Sequence, residues 1–340
     1  MANSGRYGAS LVSINPPPPT TGGTQQPPSQ YILGGDVGGP NSATFPTSIL
    51  SLTDGGGLQV LSGGVFSAPG RRNAAIFDLG PTVYAAGGED QNGGLVTTDE
   101  TNNPGAPGNP PTTFSSSSAI LAVRRTAAAT LVVPVGSGTP SLYAYVVGGW
   151  DAQHHAVPVE IAKFDGSSHA FTPFATTSTT IPRVYASLVS YANVLYVVGG
   201  ADLYADGGAG AAEEILAASI NTGDGSLGAF NPVNGMRLKQ PHVDGAVYLN
   251  PGASTVVVLG GFSNVPGFDA DLVPTDVIET SVLDGGVNDF QVSNRVLAVP
   301  RGGEIGAFVN GTTVVVGGLA SDGSGGLTTT DVVETTNPGL

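Results

Sequence analysis

The chain has 340 residues, 52 of them Gly and 26 Pro, and a formal net charge of −15 from 26 acidic and 11 basic residues. That balance argues against nucleic acid as a partner, because phosphate binding needs a basic footprint. The sequence has no cysteine, which excludes disulfides, Cys-metal sites and thiol nucleophiles, and it has no run of about 18 apolar residues to insert in a membrane.

Apolar residues make up 40% of the chain. They fall in short runs between turn residues, which predicts many short strands. The best helical stretch, 210–218 (GAAEEILAA), sits where the repeat described below calls for a strand. The first residues, MANSGRYG, have neither a basic region nor an apolar core. They do not read as a signal peptide, so the protein is either cytoplasmic or an extracellular protein whose leader is not in this sequence.

In chain order, six units follow one another. In the first (5–68), Arg6 precedes YGASLVS, a Pro-rich low-complexity loop spans 16–28, and YILGG ends at 35. The second (69–122) has Arg71, VYAAGG (83–88) and GLVTTDETNNPG (94–105). The third (123–180) has Arg125, YVVGG (145–149) and VPVEIAKFDG (157–166). Arg183, VYASLVS, YVVGG (196–200) and AEEILAASINTGDG (212–225) mark the fourth (181–236). The fifth (237–298) has His242 in the basic position, then VVVLGG (256–261) and VPTDVIETSVLDGG (273–286). The sixth (299–340) has Arg301, VVVGG (314–318) and GLTTTDVVETTNPG (326–339). The first glycines of successive pairs lie 53, 61, 51, 61 and 57 residues apart.

A basic residue opening strand one, a β-branched run ending in Gly-Gly, and a third strand carrying Glu resemble the kelch repeat. The resemblance covers essentially the whole chain and implies an all-β, six-bladed β-propeller as a single domain, 1–340. The family's strand-four tryptophan is missing; Phe171, Phe230, Phe290 and Phe114 are the expected replacements. Strands are expected in the last unit at 304–310, 312–317 and 330–335. The last blade is therefore expected to be three-stranded, continued by further chain, or completed in trans, the last giving a homo-oligomer.

The resemblance also implies a ligand face around the axis, carrying Arg6, Arg71, Arg125, Arg183, His242 and Arg301, with Asp36, Glu89, Asp90, Trp150, Asp151, Asp202 and Phe262 after the glycine pairs. Each arginine reads either as a structural partner in its own blade or as part of a ring gripping a ligand carboxylate. Trp150 reads as a sugar-stacking or partner anchor, or as packing. His154 and His155 stand near Asp151, yet adjacent side chains diverge, which works against a shared metal. Asp269, Asp271, Asp276 and Asp322 read as calcium ligands or as solvated Asp–Gly turns; no other cofactor is expected.

GxSxG, HExxH and a phosphate loop are absent. Galactose-oxidase-type chemistry needs a Cys-linked Tyr, which this chain cannot form. A sialic-acid-mutarotase-like isomerase needs only an acid/base, with Glu304 the candidate, and arginines for the carboxylate. The leading expectation is a non-catalytic binding or adhesion module presenting one face to a glycan or protein. A structural subunit of an extracellular fibre, appendage or surface layer is the alternative. The Lys-poor, Ser/Thr/Gly-rich composition fits an extracellular or cell-surface setting.

Overall fold

The computed structural model describes residues 5–14, 29–39, 44–46, 48–53, 57–62, 66, 70–104, 109–118, 120–250, 254–269, 271–309 and 311–336. The Pro-rich loop at 16–28 lies outside them. Among the described residues there is no helix, and every paired strand is antiparallel.

The first sheet runs β1 (Tyr7–Ile14), β2 (Ser29–Asp36), β3 (Ser48–Leu52), β4 (Leu58–Ser62). The second repeats that order with β5 (Ala75–Leu79), β6 (Thr82–Ala86), β7 (Asp99–Asn102) and β8 (Ser115–Ser117). The third has β9 (Ala129–Val135), β10 (Ser141–Val147), β11 (Pro158–Phe164) and β12 (Phe171–Thr180). In the fourth unit come β13 (Arg183–Val184), β14 (Ser187–Tyr191), β15 (Val194–Val198), β16 (Ala201–Leu203), β17 (Ala209–Ala211), β18 (Glu214–Ser219) and β19 (Asn231–Arg237). Its main sheet is β14-β15-β18-β19, and β13, β16 and β17 form a small sheet beside it. The fifth sheet is β20 (Ala246–Asn250), β21 (Thr255–Leu259), β22 (Thr275–Val282), β23 (Gln291–Arg301). The sixth unit has β24 (Ile305–Val309), β25 (Thr312–Val316), β26 (Leu319–Ser321), β27 (Leu327–Thr329) and β28 (Val333–Thr336). Its main sheet is β24-β25-β28, and β26 pairs with β27.

These strands follow from the sequence. Runs such as Val256–Val258 and Val314–Val316 are β-branched and buried on both faces, as in a sheet sandwiched between neighbours. Val12, Tyr31 and Ile49 of the first sheet pack on Ile76, Val83 and Phe114 of the second unit. The sixth sheet's Ile305 and Val316 pack back on Ile32 and Leu50 of the first. First strands touch in sequence, β1 with β5, then β9, β14, β20 and β24, and β24 returns to β1.

Two sets of backbone hydrogen bonds run round the same cycle. The second glycine N–H of each pair donates to the carbonyl of the next unit's basic residue: Gly35 to Arg71 (3.0 Å), Gly88 to Arg125 (2.9 Å), Gly149 to Arg183 (2.9 Å), Gly200 to His242 (3.0 Å), Gly261 to Arg301 (2.8 Å) and Gly318 to Arg6 (2.7 Å). Closer to the centre, the residue two after each basic residue donates to its counterpart in the preceding unit. Asn73 bonds Gly8, Ala127 bonds Asn73, Tyr185 bonds Ala127, Asp244 bonds Tyr185, Gly303 bonds Asp244, and Gly8 bonds Gly303. All six members have φ between +52° and +66°, where Gly, Asn and Asp are the usual occupants.

The stretch 210–218 is strand as the repeat called for: β17 ends at Ala211 and β18 begins at Glu214, between β15 and β19. Three expectations change in detail. Among the expected tryptophan replacements, Phe114 and Phe290 are buried but Phe171 is 40% exposed; Phe174, on the next core-facing turn of β12, fills that role. The last unit's third strand is Val333–Thr336 rather than 330–335. β19 and β23 run past the boundaries placed at 236 and 298, because both continue pairing with their neighbours up to Arg237 and Arg301.

Candidate functional site

Each basic residue turns into its own sheet. Arg6, Arg71, Arg125, Arg183 and Arg301 donate through Nη1 to the carbonyls of Gly34, Gly87, Gly148, Gly199 and Gly317 at 3.0–3.1 Å. His242 Nδ1 lies 2.7 Å from the carbonyl of Gly260. A second contact goes to a carbonyl near the third strand: Ser48, Thr98, Pro158, Glu214 or Val332. Carboxylates complete the set. Arg71 meets Glu100 (3.2 Å), Arg125 meets Glu160, Arg301 meets Glu334 (2.5 Å), Arg183 meets Asp202 (2.7 Å) and His242 meets Glu279 (3.3 Å).

Turning at positive φ, the Gly-Gly pair directs carbonyls away from the ladder, and a fork-shaped donor satisfies them. The third-strand glutamates also hold the segment leading into their own sheet. Glu160 accepts from Ala122 (2.7 Å) and Val123 (3.0 Å), and Glu279 accepts from Lys239 (2.8 Å) and Gln240 (2.9 Å). Glu334 accepts from Ala298 (2.6 Å) and Val299 (3.1 Å). The six basic side chains are thus buried sheet staples and do not line an open ring. Burial pulls the Arg6 pKa down to about 10, which leaves it charged at neutral pH.

The expected ligand face is packed shut. Pairings of Tyr7 with Asp36, Arg72 with Glu89, Thr126 with Trp150, Val243 with Phe262 and Gly302 with Leu319 form a layer across it. Trp150 is 5% exposed and meets the rings of Tyr185 (5.3 Å) and Phe268 (5.4 Å) edge-on. Arg72 ties Asp36 (3.1 Å) to Glu89 (3.3 Å), and Thr126 Oγ1 donates to Glu89 (3.0 Å). Trp150 is therefore packing here, because the loop carrying Val265 and Phe268 folds over it.

Four of the remaining acidic positions, Asp90, Asp151, Asp269 and Asp322, order turns. Asp151 Oδ1 accepts from Gln153 and His155 (both 2.9 Å), Asp90 from Asn92 and Gly94, and Asp322 from Ser324 and Gly326. His154 packs on Trp150, whereas exposed His155 faces Asp151. Asp269 accepts from Val265 (2.6 Å). Among the described residues, no group of three or more His, Asp or Glu converges as a metal would need, Asp269, Asp271 and Asp276 included. No described helix is long and apolar enough to cross a membrane.

A cavity of about 820 Å³ runs along the first strands of all six sheets. At one end stand Asp244 and Glu304; at the other, Pro134, Ala192 and Asn193 are exposed. Between them the wall is mostly Ala, Ser, Thr, Val, Ile and Leu, with Gln30, Tyr191, Tyr248 and Phe308; among the described residues no Arg or Lys lines it. A second pocket of about 90 Å³ lies at the floor, where Asn73, Tyr185 and Asp244 meet.

Glu304 is 7% exposed. Its Oε1 accepts from the Ala246 N–H (3.3 Å), and its Oε2 has no partner among the described residues. Burial pushes its carboxyl up to about 8, with Asp244 adding to the rise. Asp244 keeps some exposure through the cavity, but its Oδ2 is withheld from solvent and unpartnered. Burial, reinforced by Glu89, raises its pKa to about 7.

Glu304 was legible as a channel residue from its place after Arg301. Asp244 was missed, although its signal was present: it stands two residues after His242, in register with Gly8, Asn73 and Gly303. No protein-family model matches the chain, and no curated protein does either.

Proposed function

We propose that the chain is a six-bladed, kelch-like β-propeller acting as a non-catalytic binding or adhesion module, and that its ligand is an uncharged or cationic glycan entering the axial cavity. The fold reading is supported by six repeats, by two hydrogen-bond cycles that return from the last unit to the first, and by the β24–β1 contact. The observation that carries the ligand reading is the cavity itself. Its volume of about 820 Å³ lies in the range of small-molecule sites. Its wall offers hydroxyls, aromatic rings and peptide groups, with no guanidinium or ammonium to hold an acid. A sialic-acid-mutarotase-like isomerase would need such a grip, and the arginines of the repeat are engaged inside their sheets.

The test is a glycan array with neutral, amino and acidic sugars, followed by calorimetry on Ser190→Trp, which places an indole on the cavity wall. Binding of non-acidic sugars that falls at least tenfold in the variant is expected. Preference for sialylated or uronic glycans, or binding indifferent to Ser190→Trp, would overturn the reading.

A second reading rests on the sixth sheet, which has three strands among the described residues where the other five main sheets have four. A strand from another copy at β28 would make the protein a subunit of a surface assembly. Light scattering over a hundredfold concentration range tests it; a species of constant monomer mass excludes it.

A further inference from the structure

The two carboxyl groups at the cavity floor are not among the staples that recur from unit to unit; the one bond they accept across units is Ala246 N–H to Glu304 Oε1 (3.3 Å). The repeat's carboxylates sit on third strands or after the glycine pairs, each bonded to a basic residue or to backbone N–H groups. Asp244 and Glu304 instead stand at the start of neighbouring first strands. The Gly303 N–H donates to the Asp244 carbonyl (2.8 Å), and Glu304 reaches across to Ala246, two residues beyond Asp244. A Cβ added at Gly303 would lie 2.9 Å from Asp244 Oδ2, so that oxygen sits against the backbone that carries Glu304. One oxygen of each carboxyl, Oδ2 and Oε2, is out of solvent and without a partner. A buried acceptor left unmade is costly.

We propose that this floor is a subsite for a primary ammonium group on the bound ligand, held between Glu304 and Asp244. The inference rests on the cavity being the ligand site and specifies which end of the ligand goes deepest. An uncommitted positive charge is what the floor lacks among the described residues. Arg72, which faces Asp244, is tied to Asp36 and Glu89, and Arg301 beside Glu304 is tied to Glu334. Glu89 also acts on Asp244 and adds negative charge; Tyr7 and Tyr185 have their phenol pKa values raised by burial and by Asp244, so they stay neutral. An ammonium has three donors and no acceptor, which matches a site of free carboxylate oxygens. A divalent metal would want six or more oxygen ligands, and among the described residues no three ligating side chains converge there.

Both carboxyls sit high, at about 7 and about 8, because burial outweighs what Arg72 returns to Asp244 and Arg301 to Glu304. An ammonium would ionise them, so binding should release protons and strengthen as pH rises from 6 to 8.5.

The test compares 6-amino-6-deoxyglucose and 6-amino-6-deoxygalactose with glucose and galactose by calorimetry at pH 8.5, in wild type, Glu304→Gln, Asp244→Asn and Ser190→Trp. The expected result is at least tenfold tighter binding of the amino sugars, falling to within twofold of the parents in Glu304→Gln. Asp244→Asn gives the same readout independently should the first variant not fold. Equal binding of amino and parent sugars, lost in Ser190→Trp, overturns the ammonium subsite and leaves the cavity reading standing. Binding unaffected by Ser190→Trp, or no binding of either sugar class, overturns both. A melting shift with calcium or potassium chloride that Glu304→Gln abolishes, without amine preference, assigns the floor to a metal ion and also overturns the proposal.

Discussion

Replacing Gly199 with Ala tests why every second strand ends in two glycines. Gly199 has φ +67°, and a Cβ there would lie 2.6 Å from the carbonyl oxygen of His242 in the next unit. That carbonyl accepts the Gly200 N–H at 3.0 Å. Alanine held in the left-handed region costs about 1–2 kcal/mol. Pushing the His242 carbonyl away leaves a buried donor unsatisfied, about 1–3 kcal/mol more. Reduced freedom of the unfolded chain returns about 0.4–1 kcal/mol. The net loss is about 2–4 kcal/mol.

Gly207 is the control. It lies in the same unit with φ +86°, and nothing stands within 4 Å of its missing Cβ. Gly207→Ala should therefore lose only about 1 kcal/mol, the strain less the chain-entropy return. For 340 residues and an unfolding entropy of about 2.1 cal/mol/K per residue, each kcal/mol moves Tm by about 1.4 °C if unfolding is cooperative. Gly199→Ala should lower Tm by about 3–6 °C and Gly207→Ala by about 1 °C. Trp150, the only tryptophan and 5% exposed, reports unfolding by its emission. Equal losses in the two variants would refute the close-approach argument and leave only the φ strain.

Two further outcomes follow from buried charge. Arg125 and Glu160 are both fully buried. Arg125→Met should cost about 3–5 kcal/mol by stranding the carboxylate, and Arg125→Met with Glu160→Gln should lose clearly less than the sum of the singles; additive losses in denaturant melts would show the pair is uncoupled. Glu304, with its folded pKa raised from 4.5 to about 8, favours the folded state only while protonated. Its contribution is intact below pH 4.5 and is lost as pH rises through 8, so Glu304→Gln should match wild type near pH 4.5 and exceed it by up to about 5 kcal/mol at pH 9. Parallel stability curves for the two proteins across that range would contradict the assigned burial.

Much of the architecture was written in the chain. The paired glycines, the basic residue before strand one and the third-strand glutamate marked each unit, because each satisfies a local backbone demand that recurs. Details that depend on which face of a strand meets a neighbour were not legible: Phe174 rather than Phe171 is buried in β12, and that choice follows from the bulged pairing of β11 with β12.

The arginines show the same division. Their spacing was visible in the sequence, but a guanidinium at a strand start serves equally as a ligand grip or as a staple. What decided was where the glycine carbonyls point, a consequence of φ near +60° to +90° at each pair. The sequence by itself determined that six similar units must pack, since no single one could bury its two apolar faces alone. Only the tertiary structure decided that the face carrying Trp150 closes and the opposite end stays open. It also placed Asp244 beside Glu304: the two residues are 60 positions apart in the chain, and the hydrogen-bonded ring joining adjacent first strands brings them together at the floor of the cavity.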